Sequence, residues 1–122
     1  MSYKVLFYED AHGRSEIWDY LESLRQKSFL NKDARIQYNQ AALYIQLLQD
    51  NGTQLPSSIT KHIIENIWEL RPGHNRIFYF FHENNSFVLL NHYRKKSQKT
   101  PQKEIDKALS LRDDYLIRKE RN

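Results

Sequence analysis

The sequence predicts an α+β fold in which a helical hairpin packs on a curved, mainly antiparallel four-stranded sheet, in the order β-α-α-β-β-β-α. Three observations carry that expectation. Apolar residues recur at helical spacing through the first half of the chain; aromatic and β-branched residues crowd the stretch from Ile67 to Arg94; helical spacing returns after Pro101. With 122 residues, no repeat and no low-complexity linker, the chain fits one domain, 1–122.

Tyr3 to Tyr8 is a short β-rich run closed by Glu9, Asp10 and Gly13, a strand followed by a turn. Ser15 is placed to cap a helix whose stripe of Ile17, Tyr20, Leu21 and Leu24 runs to about Ser28. A second helix starts at Asn31 or Asp33 and shows Ile36, Leu43 and Leu47 along one edge and Ala41, Tyr44, Ile45 and Leu48 along another. Asn51-Gly52 supplies its stop, and Thr53 to Ser58, with Pro56, reads as loop. Strands follow at Ile67 to Arg71, Arg76 to His82 and Phe87 to Arg94, separated by Pro72-Gly73 and Asn84-Asn85. The runs IFYFF and FVLL are apolar on both faces, which places this hairpin centrally in the sheet, with helices expected over one side. Thr100-Pro101 should cap a last helix carrying Ile105, Ala108, Leu109 and Leu116, loosely docked and ending in a fraying RKERN tail.

Treating Asn84-Asn85 as a two-residue turn sets Phe78 opposite Asn91, Ile77 opposite His92 and Arg76 opposite Tyr93. One face then carries Ile77, Tyr79, Phe81, Val88, Leu90 and His92 as the core side, and the other carries Arg76, Phe78, Phe80, Leu89, Asn91 and Tyr93. A four-residue connection from Pro72 to Asn75 brings Arg71 opposite Arg76 and Glu69 opposite Phe78. Opposed arginines repel unless an anion lies between them, which hints at a phosphate site. Arg71 can equally pair with Glu69 or Glu65 on the sheet.

The net charge of +4 is concentrated in one place. Residues 91–103, NHYRKKSQKTPQK, contain Arg94, Lys95, Lys96, Lys99 and Lys103 and no acid. This segment leaves the sheet at the end where Arg71, Arg76 and Tyr93 meet, beside the N-terminus of the last helix. A basic surface with an aromatic ring suits single-stranded RNA, whose bases can stack. Metal-free RNA cleavage needs a group to activate the 2′-hydroxyl, cations at the phosphate and a proton donor for the departing 5′-oxygen. Tyr93, His92 or a lysine of lowered pKa could transfer protons, and the sequence leaves base and acid unassigned. His12, His62, His74, His82 and His92 lack partners at metal-ligand spacing, so no metal or cofactor is expected. The chain has no cysteine, and the residues before Glu9 are too few for a signal segment or membrane span; a cytoplasmic location is expected, with no membrane partner.

The run WELRPGHNRIFYFF followed by FVLLNHYRKKSQKTPQKEI resembles the HigB-like, phage-derived branch of the RelE/ParE toxin superfamily. The likeness rests on ELR at Glu69 to Arg71, R-I-F-Y at Arg76 to Tyr79 and K-K-x-x-K-T-P-x-x-E-I from Lys95 to Ile105; the upstream helical hairpin extends it over nearly the whole chain. It implies a RelE-like fold and a bacterial toxin that cleaves mRNA on the translating ribosome. It also implies a cognate HigA-like antitoxin with a helix-turn-helix domain, through which the toxin-antitoxin complex binds operator DNA. By motif, Arg71 and Arg76 match the family's sheet arginines, Arg94 to Lys96 its basic strand end, Lys61 a lysine before the second strand and Lys99 the K-T-P lysine. The sequence departs at Arg94, often apolar in relatives, and at Asn91-His92, where His-Gly or His-Ala is common.

The expected site comprises Arg71, Arg76, Tyr93, Lys96 and Lys99 as catalytic residues and Lys61, His92, Arg94, Lys95 and Lys103 as RNA-binding ones. The alternative is a non-nuclease toxin or binding module of the same fold, either a ParE-like gyrase inhibitor or a plain nucleic-acid or partner-binding domain.

Overall fold

The computed structural model describes residues 2–121. The chain runs β1 (Lys4–Phe7), α1 (Glu16–Lys27), α2 (Lys32–Asn51), β2 (Thr60–Ile64), β3 (Ile67–Leu70), β4 (Asn75–His82), β5 (Ser86–Arg94) and α3 (Gln102–Glu120). The α+β class and the helical hairpin match expectation, but the sheet has five strands rather than four, in the order β1-β5-β4-β3-β2. The added strand is β2, a short edge strand whose Lys61 and His62 are exposed, so it lacks the apolar density that marks its neighbours. β1 lies parallel to β5, and every other pairing is antiparallel.

The helix boundaries follow from local chemistry. The Ser15 hydroxyl accepts the Trp18 N–H at 3.1 Å, and the Asn31 side-chain oxygen accepts the Ala34 N–H at 2.9 Å, each satisfying a donor of a first turn. Gly52 ends α2 at φ +61°, where a Cβ would meet the Tyr3 ring at 2.9 Å; only glycine combines that backbone with that neighbour. α3 differs from expectation at both ends. Pro101 rather than Thr100 occupies its N-cap position, without a side-chain cap, and the helix continues to Glu120; the last residue of the RKERN tail, Asn122, lies outside the described residues.

Helices cover both faces of the sheet, not one. Ile17 and Leu48 of α1 and α2 pack with Leu70, Ile77, Tyr79, Phe87 and Leu89 on the first face. Ala108 of α3 packs with Ile67, Phe78, Phe80, Val88 and Leu90 on the second, joined by Ile105, Leu109, Tyr115 and Leu116. α3 is therefore a layer of the core and not a loosely docked appendage, since the apolar second face of β4 and β5 needs cover.

The pairing of β4 with β5 explains why one face was expected with the wrong membership. Arg76↔Tyr93, Ile77↔His92 and Phe78↔Asn91 stand as expected, but the other end pairs His82 with Ser86, so the loop is Glu83-Asn84-Asn85. Asn84 and Asn85 both take positive φ, 63° and 55°, a conformation that asparagine tolerates. Between Phe78 and Tyr79 the ladder slips by one, leaving Leu90 as the extra residue of a bulge. The longer loop and the bulge cancel at the Arg76 end. Between them, Val88 and Leu90 turn to the α3 face and Leu89 to the α1–α2 face, while Phe81 is 46% exposed. Among the described residues no helix is long and apolar enough to cross a membrane.

Candidate functional site

At one end of the sheet, on the face shared with α3, four strands present polar residues in register. Lys61 of β2 stands opposite Glu69 of β3, Glu69 opposite Phe78 of β4, and Phe78 opposite Asn91 of β5. One step further out, Arg71 follows β3, and Arg76 pairs with Tyr93. Alternation along each strand puts Lys61, Glu69, Arg71, Arg76 and Tyr93 on this one face.

Glu69 lies at the centre of the cluster and was absent from the expected site, where it figured only as a possible partner for Arg71. It is 2% exposed, with Oε2 3.3 Å from the Arg71 Nε and 3.8 Å from the Arg76 Nε. The anion expected between the two arginines is thus supplied by the chain itself. Burial pushes the Glu69 carboxyl above its ordinary value, and the charges of Arg71, Arg76, Lys61 and Lys95 pull it back only in part. Burial likewise lowers Arg76, against the pull of Glu69. For both groups desolvation outweighs attraction, as it does for many buried ion pairs. One signal was available: a lone acid inside the apolar strand IWEL needs a partner.

The arginines differ in accessibility. Arg76 is 5% exposed, and its Nη1 donates to the carbonyls of Gly73 and Asn75, each at 2.9 Å. That turn depends on Gly73 at φ +61°, where a Cβ would fall 2.6 Å from the Gln40 side-chain oxygen. Arg71, its side chain 26% exposed, donates from Nη1 to the Ser57 carbonyl at 2.9 Å and reaches solvent beside Glu69.

Tyr93 stacks on Phe78, with ring centroids 5.7 Å apart and planes 25° from parallel. Burial raises its phenol, while the Thr100 hydroxyl and Arg76 oppose the rise and Glu69 and Glu104 reinforce it. The phenol is therefore protonated at neutral pH. Lys95 is half-buried and continues the strand edge, its N–H donating to the His74 carbonyl at 2.7 Å. Lys96 and Lys99 are exposed on the turn before α3, and Lys103 is exposed in its first turn.

Two residues of the expected site turn the other way. His92 pairs with Ile77 on the α1–α2 face and stacks on Tyr20 with centroids 3.6 Å apart, so burial lowers its pKa. Arg94 donates to the Gln37 side-chain oxygen at 3.2 Å and to that of Asn75 at 3.4 Å, tying the strand end to α2. The reason is strand alternation, which sends His92 and Arg94 to the face opposite Tyr93. Among the described residues no group of three or more His, Cys, Asp or Glu could hold a metal. A cleft of about 840 Å³ beside β1, lined by Trp18 and Tyr115, includes none of these residues.

Fold and site define a small α+β protein with a cationic, tyrosine-bearing sheet end suited to anions of the phosphate class. The chain belongs to the family described as "Phage derived protein Gp49-like (DUF891)", whose model matches residues 21–113. Among solved structures it is similar to the archaeal RelE-RelB complex from Pyrococcus horikoshii OT3, at 15% identity and a TM-score of 0.49, over 81% of this chain and 100% of that one. A search of curated protein sequences gave no significant match.

Proposed function

We propose that this chain is the HigB-like toxin of a type II toxin-antitoxin pair and that it cleaves mRNA on the translating ribosome without a metal. The observation supporting this most directly is the gathering of Lys61, Arg71, Arg76 and Tyr93 at one sheet end, joined by the basic turn from Lys95 to Lys99. The 2′-hydroxyl gives up its proton to a base and its oxygen attacks phosphorus, while the bond to the 5′-oxygen breaks and that oxygen takes up a proton, leaving a 2′,3′-cyclic phosphate and a 5′-hydroxyl. Arg71, Lys95, Lys96 and Lys99 neutralise the charge developing on the phosphate. Tyr93, held protonated, stacks a base or donates a proton to the departing 5′-oxygen. Lys61 and Lys103 grip flanking phosphates, and Arg76 supports the cluster from beneath.

The partner is a HigA-like antitoxin whose helix-turn-helix domain binds operator DNA. The test is induction in growing bacteria with mapping of mRNA ends. Growth arrest should coincide with new cuts at in-frame positions and be relieved by co-expressing the neighbouring antitoxin gene. Growth arrest without new cuts overturns the ribonuclease reading.

A further inference from the structure

We propose that Glu69 is a built-in counter-anion of the cation cluster: it sits between Arg71 and Arg76 and competes from beneath with a substrate phosphate for Arg71, orienting both guanidinium groups while limiting how tightly RNA binds. The proposal rests on the reading of this surface as an RNA-cleaving site.

Three features separate Glu69 from an ordinary structural ion pair. First, the separations of 3.3 and 3.8 Å are long for charge-assisted hydrogen bonds, which close to roughly 2.7–2.9 Å. Second, both Glu69 Oε1 and Arg71 Nε are buried without a hydrogen-bond partner among the described residues, so neither partner is saturated. Third, the pair is lopsided in access: Glu69 is sealed beneath the surface at 2% exposed, while the Arg71 side chain, at 26%, meets solvent. A phosphate can therefore approach Arg71 from outside while the carboxylate holds it from below. Lys61, opposite Glu69, and Lys95 keep the cluster net positive, so the carboxylate weakens the attraction for RNA without reversing it. Glu69 does not touch substrate; it is a positioning residue acting through Arg71 and Arg76.

The test compares wild type with Glu69→Gln, which keeps shape and removes charge. Binding is read by fluorescence anisotropy with a short single-stranded RNA at low salt, and kcat by mRNA cleavage in a translating extract. Glu69→Gln should bind RNA about fivefold more tightly, as expected for losing one neighbouring like charge. It should also cleave with kcat reduced at least about tenfold, because the guanidinium groups lose their alignment. A glutamate with a purely structural role would lower stability or weaken both readouts together. Unchanged or weaker RNA binding by folded Glu69→Gln overturns the proposal, and tighter binding with unchanged kcat overturns the positioning role. Should Glu69→Gln not fold, the Glu69→Gln/Arg71→Gln double variant must bind RNA more tightly than Arg71→Gln alone, and failure to do so overturns it as well. If wild type cleaves no mRNA, the ribonuclease reading falls, while the binding comparison still decides the role of Glu69.

Discussion

Burial raises two phenols to about 12, Tyr20 beneath His92 and Tyr79 bonded to the Thr60 hydroxyl at 2.6 Å, and this sets how the protein responds to alkali. Their folded values lie above the unfolded one, so the stability they add is complete below about pH 10 and lost as pH rises toward 12. Absorbance titration should therefore show two of the eight tyrosines ionising last, together with unfolding. Tyr93 plays a different part. Tyr93→Phe keeps the stack on Phe78 and should melt like wild type, while mRNA cleavage falls by roughly 10²-fold if the phenol donates a proton; unchanged cleavage would reduce Tyr93 to a stacking platform. At this scale the sequence made Arg71, Arg76 and Tyr93 legible, because each sits in a countable register. The central place of Glu69 was not legible, because an acid in a strand reads as a solvent-facing residue until the fold buries it. Arg94 stands beside Lys95 and Lys96 in sequence, whereas alternation along β5 sends it to the face of His92, which the strand register already puts on the core side.

Among the elements, the β4–β5 hairpin is the instructive one. A one-residue error in loop length normally flips every side chain beyond it, yet the Leu90 bulge restored the register where the site is built. Nothing in FVLLN marks a bulge, since each residue there is compatible with a regular strand, so the apolar pattern alone could not divide Val88 and Leu90 from Tyr79. β2 was illegible for the opposite reason: Lys61 and His62 interrupt its β-branched residues, so it carries no apolar run to stand out. The bulge and loop give a direct test. Asn85→Gly should be neutral or slightly stabilising at its φ of 55°, and Asn85→Val should cost about 1–2 kcal/mol in chemical denaturation. α3 gives another. Ala108 is fully buried against the second core, so Ala108→Leu should overpack it and cost about 1–3 kcal/mol. Because the basic turn leads into α3, the same variant should also weaken RNA binding, measured alongside thermal melting.

For the whole molecule, charge is distributed so that the segment 91–103 carries the cationic excess while the rest stays close to neutral. RNA affinity should fall with salt, and replacing Lys96 or Lys99 by Ala should reduce the slope of log K against log salt by about 0.7 for each phosphate no longer neutralised; a slope that does not change would remove that lysine from the interface. The fold class and the location of the charge were legible because both are averages over many residues, which single misplacements do not disturb. The covering of both faces was less so, because the stripe on α3 names a buried side without naming which face receives it. The parallel pairing of β1 with β5 carries one further consequence. Lys4–Phe7 finds its partner only in Ser86–Leu89, some eighty residues later, and the second core closes only when α3 arrives. Pairings so distant in sequence form late and together. A chain still being synthesised therefore has neither a finished sheet nor its basic turn in place until β5 and α3 have emerged.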